Sequence, residues 1–288
     1  MNPSGAAAGV GLLSAASWGG SDFFGGFGSR RAPVLLIVIS GHFVTLLLLI
    51  AICTGMHLPI PGRAPLLYAA LGGFEGAFAL ALFYRALAMG AMGLTAAITG
   101  LLTALVPVLF SMMHDGLPTA LSATGLGLGL LAIWLITRGP TAHAESSLAN
   151  KKSSTTALIM GALAGTGFGA QLILFKLATV GGGILWAMTA ARGAGVTAML
   201  LVLLVMPPSR PWRGFWGFGI LAGILDTAGN LLYIQAASFG RLDVAALVCS
   251  LYPGGTILLA GLVLKERPTR RQLAGIALAL ASVALLSI

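Results

Sequence analysis

Residues Arg138 to Thr156 read RGPTAHAESSLANKKSSTT, a polar run near the middle of a 288-residue chain. On either side of it the sequence is built from apolar blocks of about 20 residues, the length that crosses a hydrocarbon core about 30 Å thick. The chain is 58% hydrophobic and 8% charged, against about 25% charged in an ordinary soluble domain. The polar run is therefore a hinge between two membrane-embedded halves, and the fold class is an all-α membrane protein.

The formal net charge of +9 does not mark a nucleic-acid partner. The Arg and Lys residues concentrate in short loops, where they set topology and meet lipid headgroups. Most lie on the side reached by residues 30–31, 138–152, 210–213 and 265–271, which by the positive-inside rule places both termini outside the cytoplasm. Cys53 and Cys249 each fall alone in an apolar segment, so neither a disulfide framework nor a metal site is expected. His42, His57, His114 and His143 have no zinc spacing, and no cofactor is implied. Without a basic n-region and a cleavage site, the first apolar segment reads as a retained helix. The expected location is the inner (plasma) membrane.

Ten transmembrane helices are predicted, at about 5–27, 33–54, 65–88, 92–112 and 119–138, then 156–178, 183–206, 214–237, 243–263 and 270–287. Five lie on each side of the hinge, and the halves match in sequence. A shift of 150 residues sets Trp18 on Phe168, His42 on Arg192, Gly73 on Gly223, and the pair Pro118-Thr119 on Pro268-Thr269. A shift of 149 sets Tyr84 on Tyr233. The organisation read from this is a first five-helix repeat at 1–138, a polar linker at 139–155 and a second repeat at 156–288. An odd number of helices per copy makes the second enter from the opposite side. Two inverted five-helix repeats are the architecture of alternating-access carriers, which hold substrate near the midplane.

The segment Ala236–Ile288 carries an Ala-rich start, Leu251-Tyr252-Pro253, Leu264-Lys265-Glu266-Arg267, Gln272, Gly275 and a terminal apolar helix. It resembles the EamA-type half-domain of the drug/metabolite transporter superfamily. The opening Ser17-Trp18-Gly19-Gly20-Ser21-Asp22-Phe23-Phe24 is similar to the Trp-Gly-Ser-Asn-Phe pattern of that family's first helix. The first half departs from the pattern: His114-Asp115-Gly116 replaces the acidic-basic pair, and Pro107 is displaced by about a turn. The resemblance implies a secondary transporter, usually an exporter of small metabolites, amino acids or drugs, with both termini more often inside.

Ionisable groups at the centre of a span cost about 2.5–3.5 kcal/mol on insertion scales, so each needs a reason. Counted from the span ends, His42 and Glu75 on antiparallel neighbours reach the same depth to within about 3 Å, and Arg192 and Asp226 repeat the arrangement in the second half. They are read as two intramembrane pairs, either facing a cavity or fixing helix packing as satisfied ion pairs. His42 with Glu75 is the pair that would couple transport to protons, because His changes charge near neutral pH and Arg does not. Asp22 shares a stripe with Ser14, Ser17, Trp18 and Ser21; it lines the cavity beside Trp18 or snorkels toward Arg30 and Arg31. Gln171, beside the counterpart of Asp22, and the stripe Asp226, Asn230, Tyr233 complete the substrate-binding candidates. Gly72 with Gly76, Gly161 with Gly165 and Gly169, and Gly219 with Gly223 have small-xxx-small spacing for close helix contact. Thr95, Thr99 and Thr103 either line a polar passage or bond back to their own helix.

The function expected is a secondary active transporter exporting small metabolites or amino acids, with a small-molecule substrate, membrane lipid and possible proton coupling, as a monomer or homodimer. It is not an enzyme, since no nucleophile, base or metal cluster converges at membrane depth. The alternatives are a flippase for lipid or lipid-linked sugar and a non-transporting scaffold or sensor.

Overall fold

In the computed structural model the described residues are 3–89, 92–137, 148–179, 182–207, 214, 216–239, 241–263 and 269–286. They form eleven α-helices and no strand. The first half holds α1 (Pro3–Ser29), α2 (Val34–Gly55), α3 (Arg63–Ala88), α4 (Met92–His114) and α5 (Ala120–Thr137). The second holds α6 (Leu148–Leu177), α7 (Ile184–Val205), α8 (Trp216–Phe239), α9 (Leu242–Cys249), α10 (Tyr252–Val263) and α11 (Arg270–Leu286). Helices α2, α3, α7 and α8, with Thr155–Leu177 of α6, are long and apolar enough to cross a bilayer, and Ile98–His114 and Ala120–Ile136 are shorter apolar helices.

Two expectations are corrected. The linker 139–155 is not wholly a loop: α6 already begins at Leu148, and residues 138–147 lie outside the described residues. The ninth span, drawn as 243–263, is two helices that meet at Ser250-Leu251. In a continuous helix the Pro253 ring would clash with the carbonyl of Cys249 and leave it unbonded. Instead α9 stops at Cys249, Ser250 N–H closes on the Ala246 carbonyl, and Pro253 falls in the first turn of α10, where a missing N–H is harmless. Pro107, by contrast, is carried inside α4 without a break.

The end of α2 is made by a capping motif. Leu58 N–H donates to the Cys53 carbonyl (3.0 Å), His57 N–H to the Thr54 carbonyl (3.1 Å), and His57 takes a left-handed φ of 49°. This is a Schellman stop with His in the place usually held by Gly. Trp186 Nε1 then donates to the Leu58 carbonyl (3.0 Å) and ties the start of α7 to this loop.

The most extensive helix contacts run between the halves: α1 with α8, α3 with α6 and α7, α4 with α6, α2 with α7 and α8, and α5 with α11. Lipid supplies no hydrophobic drive for helix association, so close packing of small residues has to hold these pairs. Gly41 of α2 lies against Gly219 and Gly223 of α8, and Gly73 of α3 against Ala191 of α7, so closely that an added Cβ at Gly41, Gly223 or Gly73 would overlap backbone. The row Gly161, Gly165, Gly169 of α6 receives Thr95, Thr99 and Val106 of α4. Thr99 donates to the Thr95 carbonyl of its own helix and the Gly161 carbonyl of α6, both at 2.9 Å. The threonine stripe therefore bonds back and also fastens α4 to α6.

Candidate functional site

Helix α7 carries Arg192 and α8 carries Asp226, and the two side chains form an ion pair at 2.7 Å. Arg192 is 4% exposed and Asp226 15%, so the pair sits in the packed interior with its acid turned toward open space. One turn along α8, Asn230 donates its amide to the Asp226 carbonyl at 2.8 Å. Asn230 is 2% exposed, and its Oδ1 has no partner.

The open space is a cavity between the halves. Helix α1 contributes Trp18 and Asp22, α6 contributes Phe168 and Gln171, and α8 contributes Asp226 and Asn230, while Leu80 of α3, Thr103 of α4, Leu172 of α6 and Tyr252 of α10 close it. A second cleft lies behind it, lined by His42, Arg192, Gly73 and Gly76. Leu80, Phe168, Gln171 and Asp226 face both spaces. The Arg192–Asp226 pair thus stands where the two clefts adjoin.

Aromatic packing holds α1 in place. Trp18 stacks on Tyr233 with centroids 6.0 Å apart and meets Tyr252 edge-on at 6.3 Å; Gly229 leaves room for the indole, whose Cδ1 would lie 2.5 Å from an added Cβ. Tyr233 does not line the cavity. It stands behind Trp18 and donates its hydroxyl to the Leu172 carbonyl at 2.7 Å. Tyr84, its counterpart in the first half, is bonded to Ser21, to the hydroxyl at 3.2 Å and the carbonyl at 3.3 Å. Tyr233→Phe is expected to lower stability by about 1 kcal/mol, the usual worth of one such bond, measured as a drop in the unfolding midpoint of the detergent-solubilised protein. An unchanged midpoint would show that the stacking alone fixes α1.

Of the predicted site residues, the structure gathers Trp18, Asp22, Gln171, Asp226 and Asn230 around one cavity. Asp22 faces this cavity, and Arg31, one of its expected snorkelling partners, lies over the Phe27 ring at 4.1 Å. The predicted His42–Glu75 pair is not formed. Both ring nitrogens of His42 and Oε2 of Glu75 have no hydrogen-bond partner, and the ion pairs among the described residues are Arg192–Asp226 and Arg241–Asp243. His42 packs near Gly195 of α7, where an added Cβ would lie 2.6 Å from Nδ1, whereas Glu75 abuts Gly167 of α6. The two side chains leave their helices in different directions, His42 toward α7 and Glu75 toward α6. Glu75 lines neither cleft. Among residues that sequence reasoning did not assign to the site, Tyr252 is the clearest, and its signal was Pro253, which ends α9 and turns the start of α10 toward Trp18.

A crystal structure of a protein aligns over 98% of this chain and 98% of its own length with a TM-score of 0.74 at 16% identity, which shows a shared fold. No curated protein sequence matches the chain. Residues 155–288 match the model of the EamA-like transporter family. That segment holds Gln171, Arg192, Asp226 and Asn230, and it is in this second half that the chain is similar to the EamA-like transporter family.

Proposed function

We propose that the protein is a secondary active transporter of the inner (plasma) membrane, exporting small metabolites, amino acids among them, by alternating access between two inverted five-helix repeats. The observation that carries this reading is a pair of exchanged contacts. Gly41 meets Gly223, and Ala191 meets Gly73; a shift of 150 residues turns Gly41 into Ala191 and Gly73 into Gly223. Two such contacts, each between the halves, are what a pseudo-twofold axis through the centre produces. The cavity, a largely apolar space with a few polar groups, lies between the same halves, where inverted-repeat carriers hold their substrate.

The energy source in this reading is a proton gradient, with His42 as the group that carries the charge change. Its neighbourhood fits: Arg192 of α7 and Asp226 of α8 line the same cleft, and Glu75 of α3 stands away from it. A proton gained or lost at His42 alters the field on the ion pair that borders the substrate cavity. The test is accumulation of radiolabelled metabolites and amino acids in proteoliposomes with and without a pH gradient. Wild type is expected to accumulate solute only with the gradient, and His42→Gln to retain solute exchange while losing gradient-driven accumulation. Equal accumulation without any gradient, or by His42→Gln with one, sinks the coupling proposal. Uptake unaffected by Asp226→Asn removes the cavity from the transport path.

A further inference from the structure

We propose that the Asp22 end of the cavity takes the ammonium group of an organic monocation, so that the carried solute is an amine rather than a zwitterion or an anion. This rests on the carrier reading above and replaces its broad substrate class of metabolites and amino acids with amines alone.

Two carboxylates line the cavity, and they differ in what compensates them. Asp226 is held by Arg192 at 2.7 Å, so that pair carries no net charge into the space. Asp22 makes no ion pair and receives no hydrogen bond among the described residues. Three cationic side chains of surrounding elements are engaged elsewhere: Arg31 lies over Phe27, Lys176 donates to the Ala237 carbonyl and Arg241 pairs with Asp243, while His42 lines the second cleft. A carboxylate kept at membrane depth without a counter-charge in the protein is a place for a charge that arrives from outside.

A second, independent feature specifies the kind of charge. Asn230 Oδ1 is an acceptor in a side chain that is 2% exposed, faces the same cavity and has no donor. The uncompensated groups that can only accept are therefore one charged, on α1, and one neutral, on α8; beside them stands the Tyr252 hydroxyl, which also has no partner and can donate or accept. A group with several N–H donors and one positive charge satisfies both, which a quaternary ammonium cannot. The flanking faces of Trp18 and Tyr252 suit a cation and its hydrocarbon stem. An amino acid's carboxylate would need a free cationic donor here, but Arg192 lines the second cleft rather than this one, and Asp226 already neutralises it.

The test is binding of radiolabelled phenethylamine to the purified full-length protein, with butylamine, 2-phenylethanol, phenylalanine and 3-phenylpropionate as competitors. Both amines are expected to compete, and the neutral alcohol, the zwitterion and the anion to compete at least tenfold more weakly, a floor set by a charge-assisted hydrogen bond. Asp22→Asn is expected to weaken phenethylamine binding roughly tenfold to a hundredfold, and Asp22→Glu, which keeps the charge, to retain most of it. The competition series uses wild type alone, so it decides the matter even if Asp22→Asn fails to fold. No binding of either amine, tighter binding of phenylalanine or phenylpropionate, or full affinity in a folded Asp22→Asn protein overturns the inference. Accumulation of zwitterions or anions by proteoliposomes of both wild type and Asp22→Asn overturns it while leaving the carrier reading in place. Amine binding without movement of any solute supports the subsite and removes the carrier reading instead.

Discussion

Arg192→Met alone is expected to destabilise the protein by about 3–5 kcal/mol, because it strands the Asp226 carboxylate in the interior without its counter-charge. Asp226→Leu alone should cost a similar amount by stranding the guanidinium, which is only 4% exposed. The double replacement removes both charges and fills the site with apolar atoms of similar size. A buried ion pair replaced in this way is often neutral or stabilising, so the double variant should recover most of the lost stability, read from unfolding midpoints in detergent and from the yield of monodisperse protein. Transport separates packing from function. If the pair serves only to join α7 to α8, the double variant should transport as well as wild type; if it borders the substrate path, transport should fall at least tenfold while stability returns. A double variant that is both stable and fully active would reduce Arg192 and Asp226 to a structural rivet.

That pair was legible in the sequence because two independent counts agreed: each residue fell mid-span, and the spans were antiparallel neighbours. The same counts placed His42 beside Glu75 and were wrong there. Counting from span ends fixes height along the membrane normal but not direction around the helix. Successive residues are turned by about 100°, and on α3 the directions of Gly73 and Gly76 are taken by α7 and by Gln171 of α6. Glu75, turned about 160° from Gly73, leaves the helix on another side, against Gly167 of α6. No pattern in the sequence reports which neighbour a given face meets until the glycine contacts are known.

The break between α9 and α10 has a different cause. Pro107 and Pro253 look alike in an apolar span, yet α4 carries one and α9 stops before the other. Pro253 stands in the first turn of α10, which continues through Gly254-Gly255, whereas Pro107 lies inside α4; the residues that follow each proline do not separate the two cases. The cavity members on α1, α6 and α8 could be nominated because a polar side chain in oil is conspicuous. Tyr252, Phe168 and Leu80 could not, since apolar and aromatic residues at membrane depth are common and only contact distinguishes a cavity wall from a lipid face.

Gly73→Val and Gly223→Val should each cost about 3 kcal/mol or more, at the upper end of what overpacking imposes. At Gly73 the atoms in the way of a Cβ are the Ala191 backbone, and at Gly223 they are the Gly41 backbone; neither can rotate aside as a side chain would. The helices must separate, which opens α3 from α7 or α8 from α2 along most of their contact. Gly127→Ala and Gly217→Ala serve as controls, for an added Cβ meets nothing within 4 Å at either position, and their unfolding midpoints should match wild type. The informative quantity is the comparison between the two valine variants. If Gly73 and Gly223 are equivalent under a twofold relation between the halves, the losses in stability should agree within roughly 1 kcal/mol, allowing for the twofold to threefold context dependence of such contacts. Transport should fall in both, since each contact joins a helix of one half to a helix of the other across the surface that alternating access requires to move. A severe loss at one position beside a negligible loss at the other would break the equivalence. The symmetry argument for two inverted repeats would then lose its strongest support.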